Sequence, residues 1–432
     1  MIGSVRIAVR KETAEDERRV ALVPDTVQKL VDDEHEVVIE SGAGGDFYPD
    51  EAYTKAGARI AEKDALADAD VVLQVQAPAE DELEGLPENA LLICFLDPSA
   101  QEDTLKRLAQ RRITVFSMAV IPRTGAAQAM DAISSMSSVA GYQAVLMAAQ
   151  AAGRYLPMMT TAAGTTKAAK VLVLGVGVAG LQAIATARRL GAEVEAFDIR
   201  PEVADQVRSL GATFIEARDE DDADDPAGES EPAGPQIGRT EAFVKALLGL
   251  PPELGHRSRG KRSQAGGGAG GSGGEDSSDE EKTQDQARGG YASEQAEEKQ
   301  RRDQELMTER LGEMDVVLTT ALIPGKPAPT LVTTDMVERM KPGAVLFDLA
   351  VEAGGNCELS EPGEVVTHGH VRIHGPLNLP STMPMHASHL LSRNMAAVLS
   401  HLIGEDGELQ LDFDDEITAG AVLAHDGEVR DR

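Results

Sequence analysis

The sequence predicts an α/β protein made of two doubly wound domains, each built on a parallel sheet. Two observations carry this prediction. Short apolar runs typical of buried strands alternate with amphipathic stretches along the first third of the chain, and the same alternation starts again after residue 169. The chain also has 432 residues, which is enough for two or three domains.

The first domain is predicted from a regular alternation of strands and helices. The amphipathic stretch Pro24–Leu30 separates the first two strands, and Gln101–Arg111 is a later helical spacer. A long uncharged helix is expected from about Asp131 to Ala152, and its Ser, Gln and Gly residues make it too polar to span a bilayer. The predicted strands are residues 5–11, 36–40, 71–75, 91–95 and 114–117.

A second alternation begins with the strand Lys170–Leu174. We predict that residues 1–130, with a returning C-terminal helix in 385–432, form one domain, and that residues 131–384 form the other, with an interdomain cleft. Residues 219–288 are rich in Asp, Glu, Pro and Gly, and such a segment cannot bury enough apolar area to repay its ordering entropy. We therefore expect an acidic, disordered insert there. Within it, residues 239–250 have helical spacing and indicate a transient helix or a docking helix.

The charge of the chain excludes nucleic-acid binding. There are 73 acidic and 41 basic residues, a net charge of −32, and the aromatic content is 3% without Trp. Residues 219–288 hold 16 acidic and 8 basic residues, so a charge of −24 remains on the rest. This acidity favours adaptation to high salt over an ordinarily soluble acidic enzyme. Only two cysteines, Cys94 and Cys357, are present, which fits a reducing cytoplasm.

A glycine-rich turn carries the most specific chemistry. The sequence KVLVLGVGVAGLQ places three glycines between a predicted strand and a helix, where phosphates can approach the helix N-terminus. Asp198 ends the next strand, where its carboxylate can bind the adenosine ribose and repel a 2′-phosphate. The pattern therefore predicts a Rossmann-like fold that binds NAD(H) and not NADP(H). The predicted binding residues are Gly175, Val176, Gly177, Val178, Ala179, Gly180, Asp198, Ile199 and Arg200.

A second polar group lies in the sequence IPRTGAAQAMDAISS. We predict a helix from Ala126 onward, on which Gln128, Asp131 and Ser134 recur every three residues and share one face. Polar side chains facing a cleft suit a nicotinamide. The alternative is structural, because an Arg and an Asp at a helix start, here Arg123 and Asp131, are often a salt bridge and a cap.

These blocks resemble the alpha subunit, the NAD-binding domain I, of proton-translocating NAD(P) transhydrogenase. The resemblance includes ERRVALVPDTV, PRTGAAQAMDAISS, TTALIPGKPAP and MKPGAVLFDLAVEAGGNCELSEPGE. It implies that Arg123, Gln128, Asp131 and Ser134 hold the nicotinamide end of NAD(H), the first three acting in catalysis. It also implies that Tyr291, in GGYASEQ, closes over the cofactor from a mobile loop. Three residues, Ala126, Met136 and Ser138, depart from the polar residues that many relatives carry.

The resemblance also implies partners. These are a second copy of the chain, an NADP(H)-binding beta subunit and a membrane-spanning subunit, with this chain peripheral on the cytoplasmic face and hydride passing between NADH and NADP⁺. Two alternatives remain. One is an alanine dehydrogenase, which needs a base and a cation where Gln76 and Asp97 stand, and the other is a catalytically silent NAD-binding subunit.

Other polar residues are expected to be structural. One block resembles the residues that bind a substrate carboxylate in alanine dehydrogenase, and we expect an ion network there; it consists of Arg10, Lys11, Glu12, Arg18 and Arg19. No metal site is expected, because His374, His386 and His389 lack the spacing and carboxylates of a zinc site.

Overall fold

The computed structural model of the chain describes residues 4–62, 68–215, 306–323, 326–404 and 406–430. The predicted insert 219–288 and Tyr291 lie outside these residues. The chain divides into two compact units, of which the first comprises residues 1–150, 177–186 and 376–432 and the second residues 151–176 and 187–375. The predicted division into the domains 1–130 with 385–432 and 131–384 stays a prediction.

The strands follow the apolar runs of the sequence. The inner strands of the two large sheets, such as β4 and β12, are buried along nearly their whole length, as expected for parallel strands covered on both faces. In chain order they are β1 (Arg6–Val9), β2 (Glu36–Glu40), β3 (Arg59–Ala61), β4 (Val71–Gln76), β5 (Leu91–Phe95), β6 (Thr114–Ser117), β7 (Met159–Thr161), β8 (Gly164–Thr166), β9 (Lys170–Leu174), β10 (Glu193–Phe197), β11 (Thr213–Phe214), β12 (Val316–Thr319), β13 (Val345–Asp348), β14 (Val365–His368), β15 (Val371–His374), β16 (Val422–His425) and β17 (Glu428–Val429).

The first helix shows sequence signals at both ends. It starts at Pro24, has Asp25 in its first turn and Lys29 in its last, and buries Val27 and Leu30. Besides a helical stretch at 306–312, the α-helices of the described residues are α1 (Pro24–Asp32), α2 (Asp50–Lys55), α3 (Glu102–Gln110), α4 (Ala132–Ala151), α5 (Val178–Arg189), α6 (Ala204–Ser209), α7 (Thr334–Glu338), α8 (Pro384–Leu402) and α9 (Glu416–Ala421). Within the described ranges, none of these helices combines the length and apolarity needed to cross a bilayer.

The first unit contains an eight-stranded sheet. Its strand order is β17-β16-β6-β5-β4-β1-β2-β3, and only β16 and β17 run antiparallel to their neighbours. The chain leaves β1 toward β2 and β3 on one side, and then returns to β4, β5 and β6 on the other. The point where this winding reverses therefore lies between β1 and β4. Helix α8 contributes Leu391, Met395 and Val398 to the core on this sheet.

The second unit contains a seven-stranded sheet with the order β11-β10-β9-β12-β13-β15-β14. All its pairs are parallel except β14 with β15. The winding reverses between β9 and β12, which pair in register from Val171 and Val316 onward. A small separate hairpin, β7–β8, precedes β9.

The predicted α/β class with two doubly wound parallel sheets is confirmed. The strands that the sequence did not reveal include the edge strands β3 and β11, the β16–β17 hairpin, and β14 with β15, of which β15 lies inside the second sheet. Edge strands carry less of the continuous apolar pattern that marks a buried strand, so the pattern alone does not identify them.

Candidate functional site

The glycine-rich turn follows β9 at the reversal point of the second sheet. Gly175 has a φ of +97°, and a Cβ there would lie 2.9 Å from the Thr320 hydroxyl and 3.0 Å from the Ala321 nitrogen. This position therefore requires glycine for both its backbone conformation and its surroundings. A Cβ built on Gly177 meets no atom of the described residues within 4 Å. The second glycine thus borders space that no described residue fills, and this is the position of the motif at which a pyrophosphate approaches the backbone.

Helix α5 starts directly after this turn. Its first turn contains no acidic residue, and Val178 there is exposed while Gly180 is buried. The N–H groups at the start of a helix have no partner within it and form the positive end of the helix dipole. With 12 residues, α5 is long enough to contribute to binding an anion at this end.

Asp198 follows β10 and braces the glycine-rich turn. It is 9% exposed, and its Oδ2 accepts a hydrogen bond from the N–H of Val176 at 2.7 Å. Arg200 donates to the same carboxylate from its backbone N–H, from Nε and from Nη2, at 2.9, 3.0 and 3.1 Å. A carboxylate has about four acceptor positions, so the protein itself fills those of Asp198.

This arrangement refines the predicted role of Asp198. A ribose hydroxyl can bond to the Asp198 carboxylate only after one of the protein donors gives up its hydrogen bond. The Arg200 guanidinium is the donor with the freest path, because its side chain is 49% exposed, whereas the Val176 N–H belongs to the turn. The bond to Asp198 raises the pKa of Arg200, so this cation stays charged. Ile199, between the two, is exposed.

The loop with the second group of predicted residues follows β6 in the first unit. Arg123 and Gln128 are exposed, and neither side chain bonds to another described residue. Residues Gln128–Met130 form a short 3₁₀ turn. The side-chain amide of Asn394, on α8, donates to the carbonyl of Ala129 at 2.8 Å and fixes this turn.

The predicted helix from Ala126 is wrong in its start. Helix α4 begins at Ala132, and the backbone of Asp131 is not helical, with φ −70° and ψ 82°. Its carboxylate accepts from the N–H of Ser134 at 2.8 Å and from the Ser134 hydroxyl at 2.6 Å. Asp131 is thus the N-cap, so Gln128 lies before α4 and not on its face. Asp131 and Ser134 do lie together, as predicted.

Helix α4 connects this loop to the first turn of α5. A Cβ on Gly141 would lie 2.1 Å from the carbonyl oxygen of Ala179, so only glycine permits this approach. The Ser138 hydroxyl donates to Oε1 of Gln182, on α5, at 3.5 Å. The helix that Asp131 caps therefore packs against the helix that follows the glycine-rich turn.

The residues after β12, such as Thr320, were not predicted to lie at the site. The Thr320 hydroxyl donates to the carbonyl of Gly175 at 2.9 Å, and its N–H donates to Leu174 at 2.8 Å. These residues border the turn because β9 and β12 are neighbours at the reversal point, where ligands of doubly wound sheets bind. The signal in the sequence was the apolar run of β12 followed by TALIPG, but the pairing of this strand with β9 is a property of the sheet order.

A second polar cluster fills the reversal point of the first sheet. Glu12 accepts from the N–H groups of Val75 and Gln76 at 2.6 and 3.1 Å. The side chain of Glu17 is fully buried, and it pairs with Arg19 at 2.6 Å and accepts from Gln76 at 2.8 Å. The block that contains Glu12 and Arg19 thus takes part in an internal ion network, which agrees with our expectation for it.

Burial and the neighbouring cation Arg19 together set the pKa values of the two glutamates. Burial raises the pKa of Glu12 to about 8, against the hydrogen bonds from Val75 and Gln76. Burial also opposes ionisation of Glu17, but the hydrogen bond and the charge of Arg19 outweigh it and lower its pKa to about 2. Cys94 is fully buried, and burial raises the pKa of its thiol.

The histidines are dispersed over the fold. The ring of His374 stacks on Phe347 with the centroids 4.2 Å apart, whereas His386 and His389 are located on α8. Among the residues that the structure describes, no group of three or more His, Cys, Asp or Glu side chains is arranged to hold a metal ion.

Comparison with known proteins identifies the family. The models for the alanine dehydrogenase/PNT N-terminal and C-terminal domains match residues 8–140 and 144–432. An NAD(P) transhydrogenase alpha-subunit polypeptide of Rhodospirillum rubrum is 40% identical, over 98% of this chain and 97% of that protein. The alanine dehydrogenase of Bacillus subtilis is 27% identical, over 88% and 80%. A solved transhydrogenase from Sinorhizobium meliloti is 37% identical, with a TM-score of 0.77 over 98% of this chain and all of that one. The chain belongs to the family of NAD(P) transhydrogenase alpha subunits.

Proposed function

We propose that this chain is the NAD(H)-binding subunit of a proton-translocating NAD(P) transhydrogenase. The observation that carries the proposal is the open space beside Gly177, at the reversal point of a parallel sheet and before a helix without acidic residues in its first turn. A dinucleotide needs this combination, because its pyrophosphate approaches the backbone closely and carries negative charge.

The residues around the turn divide the work of binding. Gly175, Gly177 and the first turn of α5 hold the pyrophosphate, and Asp198 accepts from the adenosine ribose when Arg200 turns outward. The carboxylate disfavours a 2′-phosphate by charge repulsion, so NADH binds more tightly than NADPH. Tyr291, outside the described residues, closes over the cofactor in this proposal.

The loop after β6 binds the nicotinamide end of NADH in this proposal. The bound dihydronicotinamide supplies the hydride, which goes to NADP⁺ on a partner subunit. Arg123 and Gln128 present free polar groups to its carboxamide, and Asp131 with Ser134 fixes the start of α4. These side chains set distance and angle, which is the main requirement of direct hydride transfer. No side chain gives or takes a proton in this step.

A conservative substitution tests this division. Gln128→Asn shortens the side chain by one methylene and should lower the rate of hydride transfer on the order of 10²-fold, with little change in NADH affinity. Stopped-flow mixing with the NADP(H)-binding subunit measures the rate, which should show no bell-shaped pH dependence. The matched control is Gln110→Asn, the same change at an exposed position of α3. It should alter neither the rate of hydride transfer nor the NADH affinity. Loss of NADH binding with an unchanged rate of the bound fraction would contradict the proposed role.

Alanine dehydrogenase activity is the second candidate. The specific observation against it is the ion network, because Arg19 is committed to Glu17, and Gln76 donates to the same carboxylate. An amino-acid substrate would need a free cation for its carboxylate and a base for its proton. Oxidation of L-alanine with NAD⁺ by this chain alone would overturn the proposal. A third candidate, a silent NAD-binding subunit, predicts NADH binding without hydride transfer in the stopped-flow experiment.

The proposal includes an assembly. Two copies of this chain join an NADP(H)-binding beta subunit and a membrane-spanning subunit, which couples hydride transfer to proton translocation. This chain then lies on the cytoplasmic face of the membrane.

We also propose that the chain works at high salt, because its net charge of −32 is destabilising unless it is screened. Its Tm should rise with KCl up to molar concentrations. A Tm that is independent of salt would contradict this element of the proposal.

A further inference from the structure

A buried polar network stands behind the carboxyl end of β12. Its centre is Asp348, the last residue of β13, which is fully buried. Oδ1 accepts from the Thr319 hydroxyl at 2.9 Å and from the N–H of Ala350 at 3.0 Å. Oδ2 accepts from the N–H groups of Asn356 and Cys357 at 2.7 and 3.0 Å. Both oxygens of this carboxylate are thus satisfied by fixed protein donors.

Asn356 continues the network toward the chain after β12. It is also fully buried, and its Oδ1 accepts from the N–H of Ala321 at 3.0 Å. Its amide donates to the carbonyls of Ala321 and Pro329 at 2.9 and 2.7 Å. One side chain therefore binds both backbone groups of Ala321, as a neighbouring strand would.

The segment held in this way forms one wall of the glycine-rich turn. Thr320 bonds to the carbonyl of Gly175, and the Ala321 nitrogen would lie 3.0 Å from a Cβ at that glycine. A shift of residues 319–321 would therefore move the turn or change the space in front of it. Apolar side chains can fill a core at lower cost than a buried carboxylate, so the network's contribution is the defined position of this segment.

We propose that Asp348 and Asn356 are positioning residues for dinucleotide binding. They touch no cofactor themselves, and they act through Thr319, Thr320 and Ala321 on the turn at Gly175. This inference rests on the proposed function, because the ligand concerned is NADH.

The test compares affinity with stability. Asn356→Ala should raise the Kd for NADH about tenfold or more, and it should shift the emission of bound NADH, because the turn loses its fixed wall. The matched control is Val337→Ala, in α7, which removes only apolar packing from the core cluster that also contains Cys357, the residue next to Asn356. It should lower the Tm to a similar extent and keep the Kd within about twofold of wild type. Equal loss of affinity in both variants, or unchanged affinity in Asn356→Ala, would overturn the proposal.

A milder pair applies if Asn356→Ala does not fold. Thr319→Val keeps the shape of a fully buried side chain but removes its bond to Asp348, whereas Thr319→Ser keeps the hydroxyl. The Kd should rise about fivefold in the first and stay within about twofold of wild type in the second. Equal affinities in the two would overturn the proposal. Titration of the wild type with NADH tests the proposed function separately. If the wild type does not bind NADH, both the proposed function and this inference are overturned. If the wild type binds NADH, the difference in affinity between the variants tests this inference alone.

Discussion

The two parallel sheets are wound in the same way, and their reversal points are filled differently. In the first sheet this point lies between β1 and β4, and in the second between β9 and β12. In the first, Glu12 extends from the chain after β1 to the N–H groups at the end of β4. In the second, the corresponding chain consists of Gly175, Val176 and Gly177, with open space beside the last.

Both sheets have a reversal point where a ligand could bind. The residues that follow the first strand of each determine whether that point is accessible to a ligand. In the first sheet, the carboxyl group of Glu12 satisfies the N–H groups of Val75 and Gln76 from within the protein. Glycines leave the N–H groups at the start of α5 for an outside anion. The first reversal point should therefore contribute to stability and the second to binding.

The largest effect is expected from breaking the ion network of the first sheet. Arg19→Met leaves the buried carboxylate of Glu17 without its cation and should lower the free energy of unfolding by about 3–5 kcal/mol. NADH affinity of the folded protein should not change. Urea unfolding and calorimetric titration measure the two quantities.

The control for this change is Arg59→Met. Arg59 pairs with Glu36 at the surface, at 3.8 Å with both side chains more than 40% exposed. Its removal should cost less than about 1 kcal/mol. Equal destabilisation by both substitutions would show that the network does not stabilise the first reversal point.

The next largest effect is expected at the open glycine. Gly177→Val places a side chain in the space beside the turn, and it should weaken NADH binding on the order of 100-fold, equivalent to about 2.7 kcal/mol. The Tm should stay unchanged, because no described atom lies where the new Cβ would be. Calorimetric titration and thermal unfolding provide the two measurements.

Gly175→Ala is the matched comparison for stability, and it should lower the Tm where Gly177→Val does not. Its φ of +97° and the Thr320 hydroxyl at 2.9 Å make any side chain unfavourable, so this variant should lose stability. A stable Gly175→Ala or an unstable Gly177→Val would contradict the description of the turn.

A pH effect on stability is expected from the first reversal point. The pKa of Glu12 is raised by burial from an ordinary 4.5 to about 8. The folded chain therefore holds a proton that the unfolded chain releases, so the free energy of unfolding should fall as the pH rises from about 4.5 to about 8. Glu12→Gln should flatten this slope in thermal unfolding, with the Tm moving about 2 to 4 °C for each kcal/mol.

The exposed neighbour Glu15 supplies the control, because Glu15→Gln should keep the wild-type slope. The lowered pKa of Glu17 acts with the opposite sign, so its contribution is present above its ordinary pKa of 4.5 and is lost as the pH falls toward 2. Parallel pH curves for wild type and Glu12→Gln would refute the assignment to Glu12.

The smallest effect is expected at Arg200. Arg200→Gln removes a half-exposed competitor from Asp198, and exposed ion pairs contribute only about 0.2 to 1 kcal/mol. NADH affinity should therefore rise by no more than about fivefold, and the preference over NADPH should increase. Parallel titrations with the two nucleotides measure this, and Arg208→Gln, in an exposed pair with Asp205, is the control. A lower NADH affinity in Arg200→Gln would show that Arg200 contributes to binding.

The sequence predicted most of the strands that lie inside the sheets, though not β15 and β16, and it predicted the turn at Gly175, because apolar runs and glycine spacing are local patterns. It also placed Asp198 at the end of the strand after that turn. It did not predict that Arg200 fills the carboxylate, since side-chain pairing two residues apart depends on the backbone conformation after β10. The start of α4 was misplaced because Ala-rich sequence continues through Asp131, and the cap is visible only from its φ and ψ.

The roles of Asp348 and Asn356 could not be predicted from the sequence for a different reason. Asp348 and Asn356 bond to a segment about 30 residues earlier in the chain, and only the pairing of β12 with β13 brings them there. An ion network that includes Glu12 and Arg19 was expected, but its connection to β4 follows from the order of strands in the first sheet.

Calorimetric titration of the wild-type chain with NADH, followed by NADPH, separates the roles of the two reversal points. We expect the glycine-lined reversal point to bind one NADH and the ion-filled one to bind no nucleotide. The expected result is one NADH per chain, with NADPH bound much more weakly because of Asp198. Two NADH per chain, no NADH, or equal affinity for NADH and NADPH would contradict the account.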